Sequence, residues 1–261
     1  MEEYVLLCRD TPESVFTAIY QVYAHRLPRD RVRLQIGSVE NYRLFATYRE
    51  VCTDLELAAR VVRTLRRQFG EEVYKDLCLA LAAEDAEKAQ AVYGTVVLGL
   101  ECIAQGRRER ITDHLTDRHV RRVMELSRRA NNELMHMRGF LRFQEMDGGM
   151  LYAVIGPRDN ILAMLAPHFA DRLSGENFVI YDEKRSLAAL HPAGEQWYLV
   201  HQAEEMMGSV ELGVSPEENK YGELFRHFCN NISINERKNQ ELQRNMLPLR
   251  FRKYMTEFVG K

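Results

Sequence analysis

The sequence predicts an α+β protein: a largely helical body that includes both termini, with a small antiparallel sheet set into the middle of the chain. Three observations carry this expectation. Apolar residues recur at spacings of three and four from Asp54 to about Arg138, and again after Pro216. Between these stretches, from Phe140 to Gln202, the apolar runs are short, aromatic or β-branched, and separated by turn residues. The chain has 261 residues, 46% hydrophobic and 28% charged, which suffices for a buried core and argues against disorder. The expected organisation is a mainly helical region over 1–139 with a short N-terminal strand, a sheet with one helix over 140–202, and C-terminal helices over 203–261. These make one or two compact units.

"YVLLCRD" reads as the N-terminal strand. Thr11 then has the chemistry of a helix N-cap, with Pro12 at the first helical position, opening "ESVFTAIYQVYAH". The segment from Arg26 to Tyr48 reads as loop or short-strand material. From Asp54, Leu55, Ala58, Val62, Leu65 and Phe69 form an amphipathic stripe, and "EDAEKAQAVYGTVVLGLECIAQG" is apolar almost all round, a central helix closed by Gly106. A helix over Thr116 to Arg138 places Val120, Val123, Met124, Leu126, Ala130, Leu134 and Met137 on one side. Arg118, Arg121, Arg122, Arg128, Arg129 and His136 lie opposite, as a basic ridge.

In the sheet region the order is β-β-α-β-β-β, with "MDGG", "DEKR" and "PAGE" as turns and Pro167 inside the helical run. Links of hairpin length argue for antiparallel pairing. After Ser215-Pro216 the pattern returns to helix, with Tyr221, Leu224, Phe225 and Phe228 on one side. Pro248 disfavours helix at Leu247 and so divides "INERKNQELQRNMLPLRFRKYM" into two pieces, the second carrying a Phe251, Tyr254, Met255, Phe258 stripe.

The formal net charge of −2 conceals a partition. Residues 101–142 carry 10 basic and 6 acidic side chains and 237–261 carry 7 and 2, whereas 143–236 carry 6 and 15. The bases are 29 Arg and 7 Lys, and a guanidinium bonds phosphate bidentately and stacks on bases. The five cysteines are far apart, without a C-x-x-C pair or zinc-like spacing, so neither a metal site nor any other cofactor is called for. Two acids at the N-terminus and the absence of a long apolar window make a cytoplasmic location the expectation, away from membrane.

Catalytic motifs are absent: there is no G-x-S-x-G, Walker loop, dinucleotide glycine fingerprint or H-E-x-x-H. His136 and His168 are the candidate acid–base groups, with His191, Glu145, Asp147, Asp182 and Glu183 as further members of the same half. Nucleic acid suits the sequence better. Arg and Lys interleave with aromatics in "MRGFLRFQ" and "LRFRKYM", a mixture of phosphate-neutralising charge and stacking faces. The candidate contacts are Arg118, Arg121, Arg122, Arg128 and Arg129 on one ridge, Arg138 and Arg142 at its end, and Arg237, Lys238, Arg244, Arg250, Lys253 and Tyr254 on another. Phe140 and Phe143 join Tyr254 as stacking candidates. The same aromatics read equally as core residues, and a basic ridge can also dock an acidic protein.

The blocks "HMRGFLRFQE", "YAVIGPRDNILAMLAPHFADRL", "FVIYDEKRSLAALH" and "LFRHFCNNISINERKNQELQRNMLPLRFRKYMTEF" together resemble a bacterial family of domains of unknown function associated with DNA metabolism and DNA repair. Its members are typically encoded beside a radical-SAM protein of DNA modification, and related domains are fused to uracil-DNA-glycosylase-like modules. The resemblance is strongest from His136 onward. It falls on His136, Arg138, Gly139, Phe140, Arg142 and Phe143, on Pro167, His168 and Phe169, and on Arg237, Lys238, Asn239, Arg244, Pro248 and Tyr254. It implies DNA as ligand and a radical-SAM protein as neighbour. It carries over no catalytic residue, so an accessory role in repair or modification is expected. An enzyme acting on DNA or a nucleotide through His136 or His168 and a carboxylate of the sheet half, or an adapter for the radical-SAM protein, are the alternatives.

Overall fold

A computed structural model describes residues 3–39, 41–107, 109–203, 213–231 and 239–258. Strand β1 (Glu3–Cys8) lies at the centre of a three-stranded parallel sheet, between β2 (Val32–Ile36) and β3 (Ala46–Glu50). Parallel pairing of β1 with β2 requires a crossover, and α1 (Pro12–Ala24) supplies it. Thr11 caps that helix, accepting from the Ser14 amide at 3.3 Å, with Pro12 just inside. The edge strands give little sequence signal because Arg33, Gln35, Arg49 and Glu50 interrupt their apolar pattern, whereas β1 is buried at Val5, Leu6 and Cys8.

Helices α2 (Leu55–Phe69), α3 (Glu71–Ala82) and α4 (Lys88–Ala104) follow, with Asp54 capping α2 through the Glu56 and Leu57 amides. The chain forms two compact units, Met1–Asn132 and Glu133–Lys261, and the boundary falls within α5 (Arg118–Phe140). The core of the first unit includes Leu6, Phe16, Ile19, Leu34, Leu65, Leu77 and Tyr93, with Val120, Val123 and Leu126 from α5. Asp117 starts α5, its Oδ1 accepting from the His119 and Val120 amides at 2.7 and 3.1 Å.

The second unit holds a five-stranded sheet in the order β4 (Gln144–Glu145), β5 (Leu151–Ile155), β6 (Phe178–Asp182), β7 (Leu187–His191), β8 (Tyr198–His201). Helix α6 (Leu162–Arg172), with Pro167 inside it, lies between β5 and β6, so the predicted β-β-α-β-β-β order is the observed one. One pairing corrects the antiparallel expectation. The three hairpin links give antiparallel pairs, but β5 and β6 run parallel, because a connection containing α6 returns the chain to the end from which β5 began. The Gly148-Gly149 turn has φ of 89° and 80°.

Helix α7 (Pro216–Asn231) keeps Tyr221, Leu224, Phe225 and Phe228 on one side, and that side is exposed. Helix α8 (Gln240–Met246) is capped by Asn239, and Pro248 separates it from the single turn of α9 (Leu249–Arg252). Phe251 and Met255 are buried. No helix among the described residues is long and apolar enough to cross a membrane.

Candidate nucleic-acid interface

The first ridge is built on the start of α5. A Cβ at Gly94 would overlap the His119 ring, so the missing side chain lets α4 accept that imidazole. His119 is half-buried, and burial followed by the charge of Arg118 lowers its pKa. A neutral imidazole acceptor fits the observed bond, in which Arg118 Nε donates to His119 Nε2 at 3.1 Å. Around this pair lies a cleft of about 350 Å³ lined by Arg33, Gln90, Arg118, His119, Arg121 and Arg122, with Glu87 and Glu125.

The arginines of the ridge are not equivalent. Arg122 is paired with Asp85 at 2.5 Å and Glu125 at 3.0 Å, and the bond to Glu125, with Asp85 behind it, holds its proton more tightly than usual. Arg129 donates to the Glu84 carbonyl at 3.1 Å. Arg128 is exposed in a separate concavity with Asp76, Ser127 and Arg110. Arg33 and Arg121, by contrast, have no side-chain partner among the described residues, and Arg118 has only His119. Three guanidiniums without a carboxylate partner therefore share one concavity.

The second ridge divides differently. Arg250 pairs at 3.1 Å with Glu133, which is 2% exposed and also accepts from the Arg158 and Asp159 amides. A carboxylate so buried requires its partners, which makes Arg250 a structural cation. Lys253 Nζ and the Tyr254 hydroxyl both donate to Glu183 Oε1, at 2.5 and 2.7 Å. Arg142 donates to Glu257 at 2.9 Å and to the Gly139 and Leu141 carbonyls. Arg138 reaches the Met135 sulfur at 3.7 Å. Only Arg244 of this group is exposed without a side-chain partner among the described residues. Arg237 and Lys238 lie outside the described residues.

The aromatics and histidines are engaged with one another. Phe143 packs against Phe169 and Phe178, with centroids 5.3 and 5.6 Å away. His136 stacks on Phe140 at 5.6 Å and meets Phe251 edge-on at 5.6 Å, while its Nδ1 is buried without a partner. His168 packs on Phe169. Neither histidine lines the clefts at Arg121 and Glu183, and no ring contact or hydrogen bond links the two. His191 is buried, stacked on Phe178 with Nδ1 2.9 Å from the Glu176 carbonyl.

Around Glu183 the fold makes a second concavity. Glu183 directly follows β6, and Gly156 directly follows β5; a Cβ at Gly156 would overlap the Tyr254 hydroxyl. That close approach seats Tyr254 against the sheet and completes a cleft of about 280 Å³. Sequence reading missed Arg33, because a lone Arg in an edge strand has no helical period. It also passed over His119, which sits between the ridge arginines and gains meaning only from Gly94 on another helix.

Two α+β units, one with an arginine-lined cleft and one with a cleft roofed by Tyr254, define the class of molecule. The chain belongs to the family described as DUF4130, domain of unknown function, whose model matches residues 86–257. No match was found among the curated proteins or among the solved structures.

Proposed function

We propose that the protein binds nucleic acid as a non-catalytic accessory factor in DNA metabolism, with phosphate held at the cleft of Arg33, Arg118 and Arg121. The carrying observation is that these guanidiniums gather in one concavity without a carboxylate partner among the described residues. A guanidinium already bonded to a carboxylate has its charge balanced and part of its donor fork occupied, whereas these three have no such bond among the described residues. The resemblance of the chain to DNA-associated domains favours DNA as the polyanion. The same resemblance favours a radical-SAM protein as the source of any chemistry on that DNA. Arg128, in a separate concavity of the same unit, and Arg244, in the other unit, are further phosphate candidates; Arg122, Arg250 and Lys253 serve the fold.

The test is binding of single- and double-stranded DNA across a salt series. Log affinity should fall with log salt by roughly 0.7 to 0.9 per phosphate neutralised, so about 2 to 3 in total for three arginines. The double substitution R118E/R121E should reduce both affinity and slope. Unchanged affinity in that variant would sink the assignment.

A further inference from the structure

The Glu183 cleft has a chemistry unlike that of the arginine cleft. It lies on the sheet face that carries Gln144, Tyr152 and Val154, with Glu183, Tyr254 and Thr256 at its border. Its two cations are already balanced, Lys253 by Glu183 and Arg142 by Glu257, so it offers phosphate no unpaired charge. What it does offer is uncommitted hydrogen-bonding capacity. The Gln144 amide, the Tyr152 and Thr256 hydroxyls and Glu183 Oε2 have no side-chain partner among the described residues. Beside them lie two aromatic rings and the apolar Val154.

Such a lining fits a neutral, planar ligand with donors and acceptors along its edge. At about 280 Å³ the cleft is at the lower limit for a small-molecule site, which is roughly 300 Å³, so one ring system is the appropriate load. The free carboxylate oxygen can only accept, and thus selects a ligand that presents N–H. An exocyclic amino group projects its N–H beyond the ring, whereas the ring N–H of thymine is flanked by two carbonyl oxygens that repel a carboxylate. A side-chain amide beside it both donates and accepts, as in the pairing of Gln with adenine and of carboxylates with the cytosine amino group. Aromatic side chains supply stacking that any base can use.

We propose that this cleft binds a nucleobase carrying an exocyclic amino group (cytosine, adenine or guanine), whose N–H donates to Glu183 Oε2 while the Gln144 amide engages the neighbouring edge position. This deepens the nucleic-acid reading by assigning a base-contacting site distinct from the phosphate contact. The role is recognition. Lys253 and then Tyr254 hold the Glu183 carboxyl below its usual range, Glu183 in turn raises Lys253, and burial pushes Tyr254 up to about 12. At neutral pH the three are therefore a fixed carboxylate, ammonium and phenol, poorly matched to proton transfer.

The full chain is titrated by ligand-observed NMR with deoxycytidine, deoxyadenosine, deoxyguanosine and thymidine, and by fluorescence with a single-stranded oligonucleotide containing one 2-aminopurine. Amino-bearing nucleosides should bind about tenfold or more tightly than thymidine, and E183Q should remove that preference. Because E183Q also releases Lys253 and Tyr254, Q144A, which breaks no side-chain bond, provides the second test and should weaken binding of the amino-bearing nucleosides. Equal binding of thymidine, no nucleoside binding, or full retention in Q144A would overturn the proposal. The two readings separate cleanly. R118E/R121E should weaken oligonucleotide binding and leave nucleoside binding intact. Salt-dependent oligonucleotide binding with unaltered 2-aminopurine fluorescence and no nucleoside binding would defeat the base site alone. Preferential nucleoside binding without any oligonucleotide binding would defeat the polyanion reading and assign a free nucleoside to the cleft.

Discussion

Gly156 decides more than its size suggests, because the Tyr254 hydroxyl occupies the space its side chain would take. G156A should therefore destabilise the protein by about 1–3 kcal/mol, the usual cost of overpacking, seen as a lowered unfolding midpoint in urea. Y254F should rescue part of this loss, since it removes the overlapping oxygen at the cost of one hydrogen bond. At Glu183 the bonds from Lys253 and then Tyr254 hold the folded pKa below the ordinary carboxyl value of 4.5. Its stabilising contribution is thus complete above the unfolded value and is lost as pH falls through the lower folded value. The stability difference between wild type and E183Q should be full at neutral pH and should shrink below about pH 4.5, as followed by denaturant titration at several pH values. Arg250 and Arg121 form a contrasting pair. R250A strips the buried Glu133 of its cation and should cost roughly 1–3 kcal/mol of stability with little change in DNA affinity. R121E should do the reverse, leaving the unfolding midpoint nearly in place.

At the scale of the element, the start of α5 positions the proposed phosphate contact. Asp117 caps it through the His119 and Val120 amides, and its carboxylate also suits the positive end of the helix. D117A should cost about 1 kcal/mol and, by fraying the turn that carries Arg118 and Arg121, should weaken DNA binding in the same measurement. Fraying elsewhere, as in T11A on α1, should cost a similar amount of stability without that loss. Much of this level is legible in the sequence. Thr11 and Pro12, the Gly148-Gly149 turn and the stripe from Val120 to Met137 reveal their roles because caps, turns and helix faces are set by neighbours within a few residues. Strands β2 and β3 are only faintly legible, as loop or short-strand material, for the opposite reason: as edges of a parallel sheet they alternate weakly, and their partner β1 is far away in sequence.

Across the whole molecule the net charge of −2 gives no long-range attraction for a polyanion. The proposed association would rest on the local field of the 101–142 segment, with its 10 bases and 6 acids, helped by Arg33 from β2. Binding should accordingly be modest and tolerant of sequence at the arginine cleft, and lost at high salt, whereas the Glu183 cleft should be insensitive to salt because the proposed base is neutral. The two clefts belong to different units, so each can be altered without touching the residues of the other.

By itself the sequence determined the α+β class, the order of the central elements, the caps and turns, and the presence of an arginine-rich face on α5. Those features follow from hydrogen bonds and periodicities that operate over one or two turns of chain. Only the tertiary structure decided which charges are available. Arg122 meets Asp85 across 37 residues, Tyr254 meets Glu183 across 71, and Arg142 meets Glu257 across 115. A guanidinium reads the same in sequence whether it is paired or not, and it is the fold that brings a carboxylate to Arg122 and leaves Arg121 beside an open cleft.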